Sequence, residues 1–162
     1  MVGSGRAAFL SGTSIFGGLS AEVIAVVSDR LKDRRVAAGE VLFDEGDDGK
    51  SMYIVREGSL IVQRCLADGS QARLLMMRPG DHFGVTALIE MEPRPFSCKA
   101  EEDSLLYELT NADLYALYKS DLKAYTLLLQ NINRELCRRL RKAAKHIAAL
   151  EDTLHAGHPR AG

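Results

Sequence analysis

The sequence predicts an α+β, mainly β fold: an antiparallel sandwich, roll or barrel of short strands with helix before it and helix after it. Two observations carry this. Between Arg35 and about Glu108, short apolar runs are separated by turns rich in glycine and aspartate, at 39, 46–49, 58, 68–69 and 79–81. Short, evenly spaced strands of this kind pair antiparallel. On either side, apolar residues recur every three or four positions, the spacing of an amphipathic helix.

Taken in order, residues 1–13 are rich in Gly, Ser and Ala and read as a loose arm. Ser20 can cap a helix to about Lys32, with Ile24, Val27 and Leu31 on one stripe. Strands are expected over Val41–Phe43, Met52–Val55, Leu60–Cys65, Ala72–Met77, Phe96–Ala100 and Ser104–Leu109. Asp68-Gly69 marks a hairpin between two of them. Thr110 or Asn111 can cap a short helix through about Lys119, and Asp121 can start a long one from Leu122 to about Leu154. In the long helix Leu129, Ile132, Leu136, Leu140, Ala143, Ile147, Leu150 and Leu154 form a near-heptad seam. The domain beside it is too small to cover that seam, and a partner helix from a second copy is the simplest cover. A homodimer is therefore expected.

The composition narrows the function. Of the 162 residues, 46% are hydrophobic and 27% charged, which suits an ordinary globular domain. A net charge of −1 argues against electrostatic nucleic-acid binding by the whole molecule. No apolar run is long enough for a membrane span, and the first residues carry no signal-peptide core, so a cytoplasmic setting is expected. Cys65, Cys98 and Cys137 are odd in number and far apart, and read as small buried or half-buried thiols. His82 stands alone in a turn, and His155 and His158 fall in the tail, so no metal site is expected. No nucleophile–base arrangement stands out, Glu101-Glu102-Asp103 reads as a polar turn, and no enzymatic activity is expected. The basic run Arg138, Arg139, Arg141, Lys142 and Lys145 reads as the solvated flank of a coiled coil.

Two stretches then resemble a known family. The first runs from Val36 to Gly58, with glycines 39, 46, 49 and 58 where backbone corners need positive φ. The second is Pro79-Gly-Asp-His-Phe-Gly-Val-Thr-Ala-Leu-Ile-Glu-Met-Glu-Pro-Arg-Pro-Phe-Ser-Cys-Lys-Ala100. Together with the order of elements they resemble the cyclic-nucleotide-binding domain family, over about residues 14–150. The resemblance implies an antiparallel β-roll or jelly roll with an N-terminal helix, a short cassette helix and a long C-terminal dimerisation helix. It implies one domain over 1–162: helix and roll over 14–109, C-terminal helices over 110–154, and a loose tail over 155–162. The second stretch is similar to the family's phosphate-binding cassette, where a helix N-terminus and an arginine hold the cyclic phosphate.

Residue by residue, Phe83, Gly84, Ala87, Leu88, Arg94 and Ser97 fit that cassette. Val85 replaces the glutamate that accepts from the ribose hydroxyl, and Pro95 replaces a backbone N–H donor. Phe96 stands where the family has a small residue and can fill the pocket, while Ser97 keeps a hydroxyl. The amides of Val85 and Thr86 are the expected anion cradle, and Arg94 is either a phosphate ligand or half of an ion pair with Glu90 or Glu92. On the base side the register places Ala143 and Ala144, neither able to hydrogen-bond through its side chain. A lost charged acceptor and a lost donor together cost roughly 3 kcal/mol, about a hundredfold in affinity.

The expectation is thus a stand-alone regulatory or sensor domain that signals through its C-terminal helix to a protein partner, with cyclic AMP or cyclic GMP binding weakened or lost. No cofactor is assigned; the candidate ligand is a cyclic nucleotide or another small phosphate-bearing molecule. The chain stops at Gly162, leaving no room for the helix-turn-helix domain of the family's DNA-binding regulators, so neither nucleic acid nor membrane is an expected partner. The alternatives are a dimerisation or docking module that binds no ligand, and the sensor half of a truncated DNA-binding regulator.

Overall fold

A computed structural model describes residues 2–156. Two four-stranded antiparallel sheets face each other. One has β1 (Lys32–Val36), β8 (Ser104–Thr110), β3 (Ser51–Glu57) and β6 (His82–Phe83) in that spatial order. The other has β2 (Val41–Phe43), β7 (Ser97–Ala100), β4 (Leu60–Cys65) and β5 (Gln71–Met77). Helices α1 (Val2–Ser11), α2 (Ala21–Arg30), α4 (Asn111–Ser120) and α5 (Leu122–Ala156) bracket the roll, and α3 (Val85–Glu90) interrupts it. This is the mainly β, α+β roll that the sequence predicts.

Strand β3 explains why. Side chains alternate across a strand, and residues 51–55 are all buried, so both faces of β3 are covered. Met52 and Ile54 join a core shared with the helices, including Phe16, Ile24, Leu88, Leu128 and Ile132. Tyr53 and Val55 point the other way, into the roll, with Val36, Leu60, Phe83 and Leu106. Two hydrophobic cores thus share one central strand. At the corner before β4, Gly58 has φ 79°, and a Cβ there would collide with Asp103 and Ser104. Gly39 and Gly46 also have positive φ, as expected, whereas Gly49 does not.

The expected strands form within a residue or two, and the hairpin at Asp68-Gly69 joins β4 to β5. Two strands were not anticipated. The helix expected to reach Lys32 stops at Arg30, and Lys32–Val36 pairs with β8 as β1. Its first four residues are exposed, so it carries no apolar alternation to read. His82–Phe83, expected as a turn, is a two-residue strand against β3. Ser20 caps α2 by accepting from the Val23 amide. A capping box of Thr110 and Asp113 opens α4. Asp121 Oδ1 accepts from the Ala124 amide at 2.9 Å at the start of α5. Cys98 is buried, and desolvation pushes its thiol up to about 12; Cys65 and Cys137 are exposed rather than buried.

Residues 2–11 are not a loose arm. They form α1, docked on α2, with Leu10 fully buried. Arg6 donates through Nη1 to the Ser28 and Leu31 carbonyls at 3.0 and 2.9 Å, closing the C-terminal end of α2. Phe9 meets the Tyr107 ring edge-on at 6.0 Å. The Gly- and Ser-rich composition hides this helix because its stability comes from docking rather than propensity.

The 35-residue α5 spans about 50 Å. Its expected seam divides. Ile132 is fully buried in the chain's own helical core with Leu128, so it is not available to a partner. Leu129 and Leu136 are partly buried against the same core. Beyond them Leu140, Ile147, Leu150 and Leu154 are 53–71% exposed. The helix runs to Ala156, past the expected start of the tail at 155; residues 157–162 of that tail, with His158, lie outside the described residues.

If α1 is integral to the fold, Leu10→Ala destabilises the protein by about 2–5 kcal/mol. Urea unfolding followed by circular dichroism measures it; a change within about 0.5 kcal/mol is what a loose arm would give.

Candidate functional site

The cassette turn is built around Gly84. With φ 78°, it turns the chain from β6 into α3, and a Cβ at this position would sit 2.7 Å from Arg94 Nη1. Only glycine lets the guanidinium lie this close to the turn. The first helical bond of α3 runs from the Leu88 amide to the Gly84 carbonyl at 3.2 Å, so the amides before Leu88 have no acceptor within the helix. Val85 and Leu88 anchor α3 in the helical core, while Thr86 is exposed.

Arg94 is 4% exposed. Its backbone is clamped by the loop after β2: the Arg94 amide donates to Asp47 at 2.8 Å and its carbonyl accepts from Gly46 at 2.9 Å. Nη2 donates to Ser51 Oγ at 3.3 Å, Ser51 to the Tyr53 hydroxyl at 3.2 Å, and Tyr53 to Glu108 Oε1 at 3.3 Å. The guanidinium lies 4.2 Å from the centre of the Phe43 ring and 5.6 Å from that of Tyr53. Its Nε and Nη1 have no hydrogen-bond partner among the described residues. Burial lowers its pKa from the usual arginine value, but arginine remains charged. The expected ion pair with Glu90 or Glu92 is not formed: both glutamates are exposed, and no ion pair among the described residues includes Arg94.

A cavity of about 210 Å³ opens beside this guanidinium. Gly84, Val85, Thr86, Arg94, Pro95 and Phe96 form one wall; Phe43, Val62, Leu75, Met77 and Phe83 come from the roll, and Leu136 and Arg139 from α5. Phe43 and Phe83 of that lining pack with Tyr53 behind them, ring centroids 5.5–6.2 Å apart. Phe96 lines the cavity rather than filling it.

Three expected site residues lie elsewhere. Ser97 turns its hydroxyl to the loop after β2, accepting from the Glu45 amide at 2.9 Å and donating to Asp44 at 3.3 Å, and does not line the cavity. Ala143 and Ala144 are exposed on α5, beyond the roll. The helical residues that reach the cavity are one to two turns earlier, Leu136 and Arg139. Arg139 is not a solvated flank: Nη2 donates to the His82 carbonyl at 2.5 Å, and Nε lies 3.8 Å from Glu135. The signal that could have found it is helical phase, since Arg139 follows Leu136 by three residues. Among the described residues no cluster suits a metal ion, and no helix is long and apolar enough to cross a membrane.

Two cores on opposite faces of β3, a glycine turn, a buried arginine and the long helix α5 together make a mainly β roll with a cavity beside that arginine. The sequence profile described as "Cyclic nucleotide-binding domain" matches residues 33–121, and the chain belongs to that family. It is 30% identical over 134 residues to the "Cyclic AMP receptor protein" of Thermus thermophilus, covering 83% of this chain and 60% of that protein. The N-terminal domain of a transcriptional regulator from Streptomyces coelicolor superposes with a TM-score of 0.73 at 29% identity, covering 83% of this chain and 94% of that one. A cyclic nucleotide-binding domain from Methylobacillus flagellatus shares the fold, with a TM-score of 0.81 at 20% identity over 91% of this chain and 83% of that one. The chain therefore spans about 60% of the length of the Thermus receptor protein.

His82, at 2% exposure, reports on how α5 sits over the site. Burial first, then the charge of Arg139, pull its pKa down to about 4, while Glu135 and Asp81 push it up. The folded protein therefore holds His82 neutral, and stability present above pH 6.5 is lost as pH falls toward 4. Between pH 8 and pH 5 this amounts to about 2 kcal/mol, measured as the change in urea unfolding free energy. His82→Gln should flatten that slope; an unchanged slope would mean that another group sets it.

Proposed function

We propose that this chain is a cytoplasmic, non-enzymatic sensor or adaptor domain, homodimeric through α5, that signals to a protein partner by changing the pose of α5. Its ligand is a small phosphate-bearing or similar anion held by Arg94 and the Val85–Thr86 turn, and family-typical cyclic AMP or cyclic GMP binding is weakened. The carrying observation is the buried Arg94 guanidinium, with two nitrogens unpartnered beside Gly84. An unpaired charge in an apolar pocket is costly, and an anion would offset that cost.

The weakening of cyclic nucleotide binding rests on three residues. Val85 is 3% exposed in the helical core and offers no acceptor, Pro95 has no N–H, and Phe96 narrows the cavity. A route from site to helix exists in the packing. Leu88 of α3 shares a core with Leu128 and Ile132 of α5, and Asn111, at the start of α4, donates to the Leu88 carbonyl at 3.1 Å. A ligand shifts α5 only if it binds the two helix poses unequally. Val85, Pro95 and Phe96 equally suit a docking module without ligand, but such a module has no use for an orphaned buried cation. Because curated relatives include a "CRP-like cAMP-activated global transcriptional regulator" of Mycobacterium tuberculosis that this chain spans only in part, the sensor half of a DNA-binding regulator is a second reading.

Arg94→Met separates a ligand arginine from a structural one. It should leave the unliganded protein equally stable, or up to about 2 kcal/mol more stable, because relief of an unmet burial cost outweighs the loss of a modest cation–π attraction. It should also abolish the rise in melting temperature that inorganic phosphate or cyclic AMP gives the native chain. A loss of about 3–5 kcal/mol would instead mark Arg94 as a structural charge.

The dimer rests on Leu140, Ile147, Leu150 and Leu154, spaced by three, four and seven along one exposed face. Light scattering of Leu140→Lys/Ile147→Lys should give a monomer where the native chain gives a dimer. A double variant that stays dimeric counts against this seam.

A further inference from the structure

We infer that the cavity beside Arg94 takes a small dianion with an apolar body, such as a short-chain dicarboxylate, and that Arg139 of α5 binds its second anionic group. The inference rests on the sensor reading above and adds the ligand's chemical class and a binding residue.

Complementarity carries it. Two arginines, Arg94 from the cassette and Arg139 from α5, line one cavity. The other side chains facing it are apolar apart from the Thr86 hydroxyl, and no carboxylate or carboxamide side chain does. Apart from the Thr86 hydroxyl, no lining side chain can accept from a sugar hydroxyl. The site offers donors at two places and hydrocarbon elsewhere. A ligand that matches it carries acceptors at two places and hydrocarbon between them.

Charge and size agree. Arg94 has no ion pair, and Arg139 has Glu135 only at 3.8 Å from Nε, so two cations share less than one close carboxylate. A monoanion satisfies one guanidinium and leaves the other as it was. The cavity, at about 210 Å³, falls below the roughly 300–1,000 Å³ of sites for drug-sized molecules. A site below that range suits a molecule of a few carbons with two acidic groups.

The arrangement also ties the ligand to the helix. Arg139 already reaches the roll by donating to the His82 carbonyl at 2.5 Å. A dianion bridging Arg94 to Arg139 would fasten α5 to the cassette through a second connection, which a ligand confined to the Arg94 end cannot do. Such a ligand distinguishes between helix poses, as a signalling ligand must.

Calorimetric titration of the full chain with glutarate, butyrate, inorganic phosphate and cyclic AMP tests this. Glutarate should bind roughly tenfold to a hundredfold tighter than butyrate. Arg139→Gln should remove that ratio, bringing glutarate to the affinity of butyrate. Arg139→Lys, which keeps the charge, should retain part of the ratio; if Arg139→Gln fails to fold, the native glutarate-to-butyrate ratio and the lysine variant decide. Equal affinities for glutarate and butyrate, a ratio that survives Arg139→Gln, or tighter binding of cyclic AMP than of glutarate would overturn the dianion inference and leave the Arg94 site standing. No binding of any of the four anions, phosphate included, would overturn the sensor reading itself.

Discussion

The structure is organised around a buried positive charge that the protein does not neutralise. Arg94 sits at 4% exposure with a single side-chain hydrogen bond, to Ser51. Burying an ionised group without a counter-charge costs several kcal/mol, and such groups persist in folded proteins when something else requires them. The surroundings are arranged to hold the charge rather than to quench it. Two backbone bonds to the Gly46–Asp47 loop fix the chain, the Phe43 face supplies cation–π attraction, and Gly84 leaves room for Nη1. The Ser51–Tyr53–Glu108 chain carries a weak connection outward to a carboxylate, too long to discharge the site. Burial raises the Tyr53 pKa, so its hydroxyl stays protonated as the donor in that chain.

Two cores meeting at β3 decide what a perturbation at this site can reach. Tyr53 faces the roll and touches the Arg94 network, while Met52 and Ile54, its neighbours in sequence, face the helices. Val85 straddles the same division: it lines the cavity and belongs to the helical core. Val85 supplies apolar contact between α3 and the core that also buries Leu128 and Ile132 of α5.

The roll was legible in the sequence because its strands are bounded by glycines and aspartates that turn chemistry requires, and because a strand covered on both faces reads as a solid apolar run. Helix α1 and strand β1 were not. The first is held by docking and by Arg6, neither of which leaves a local mark; the second is an edge strand with one buried residue. The cassette could be placed to the residue, since Phe83, Gly84 and Arg94 sit in one short stretch. The helical side of the pocket could not. Carrying a pattern along α5 by register ran past the end of the roll to Ala143 and Ala144, whereas the cavity is closed by Leu136 and Arg139. Where a helix leaves a domain depends on packing in three dimensions, which a linear register does not encode.

The same error explains the mixed seam of α5. A single apolar stripe was read as a single interface, but a helix that begins inside a domain and ends outside it must change partners along its length. Ala124, Leu128 and Ile132 are spent on the chain's own core, Leu136 and Arg139 line the cavity, and Leu140, Ile147, Leu150 and Leu154 face outward. The three uses follow one another without a gap, so no residue separates the cavity from the exposed seam beyond Arg139 itself. A rotation of α5 that improves contact at Arg139 must therefore also move Leu140, the next residue in the chain. Both residues belong to one continuous helix of 35 residues, so the cavity wall and the start of the exposed apolar face share a backbone.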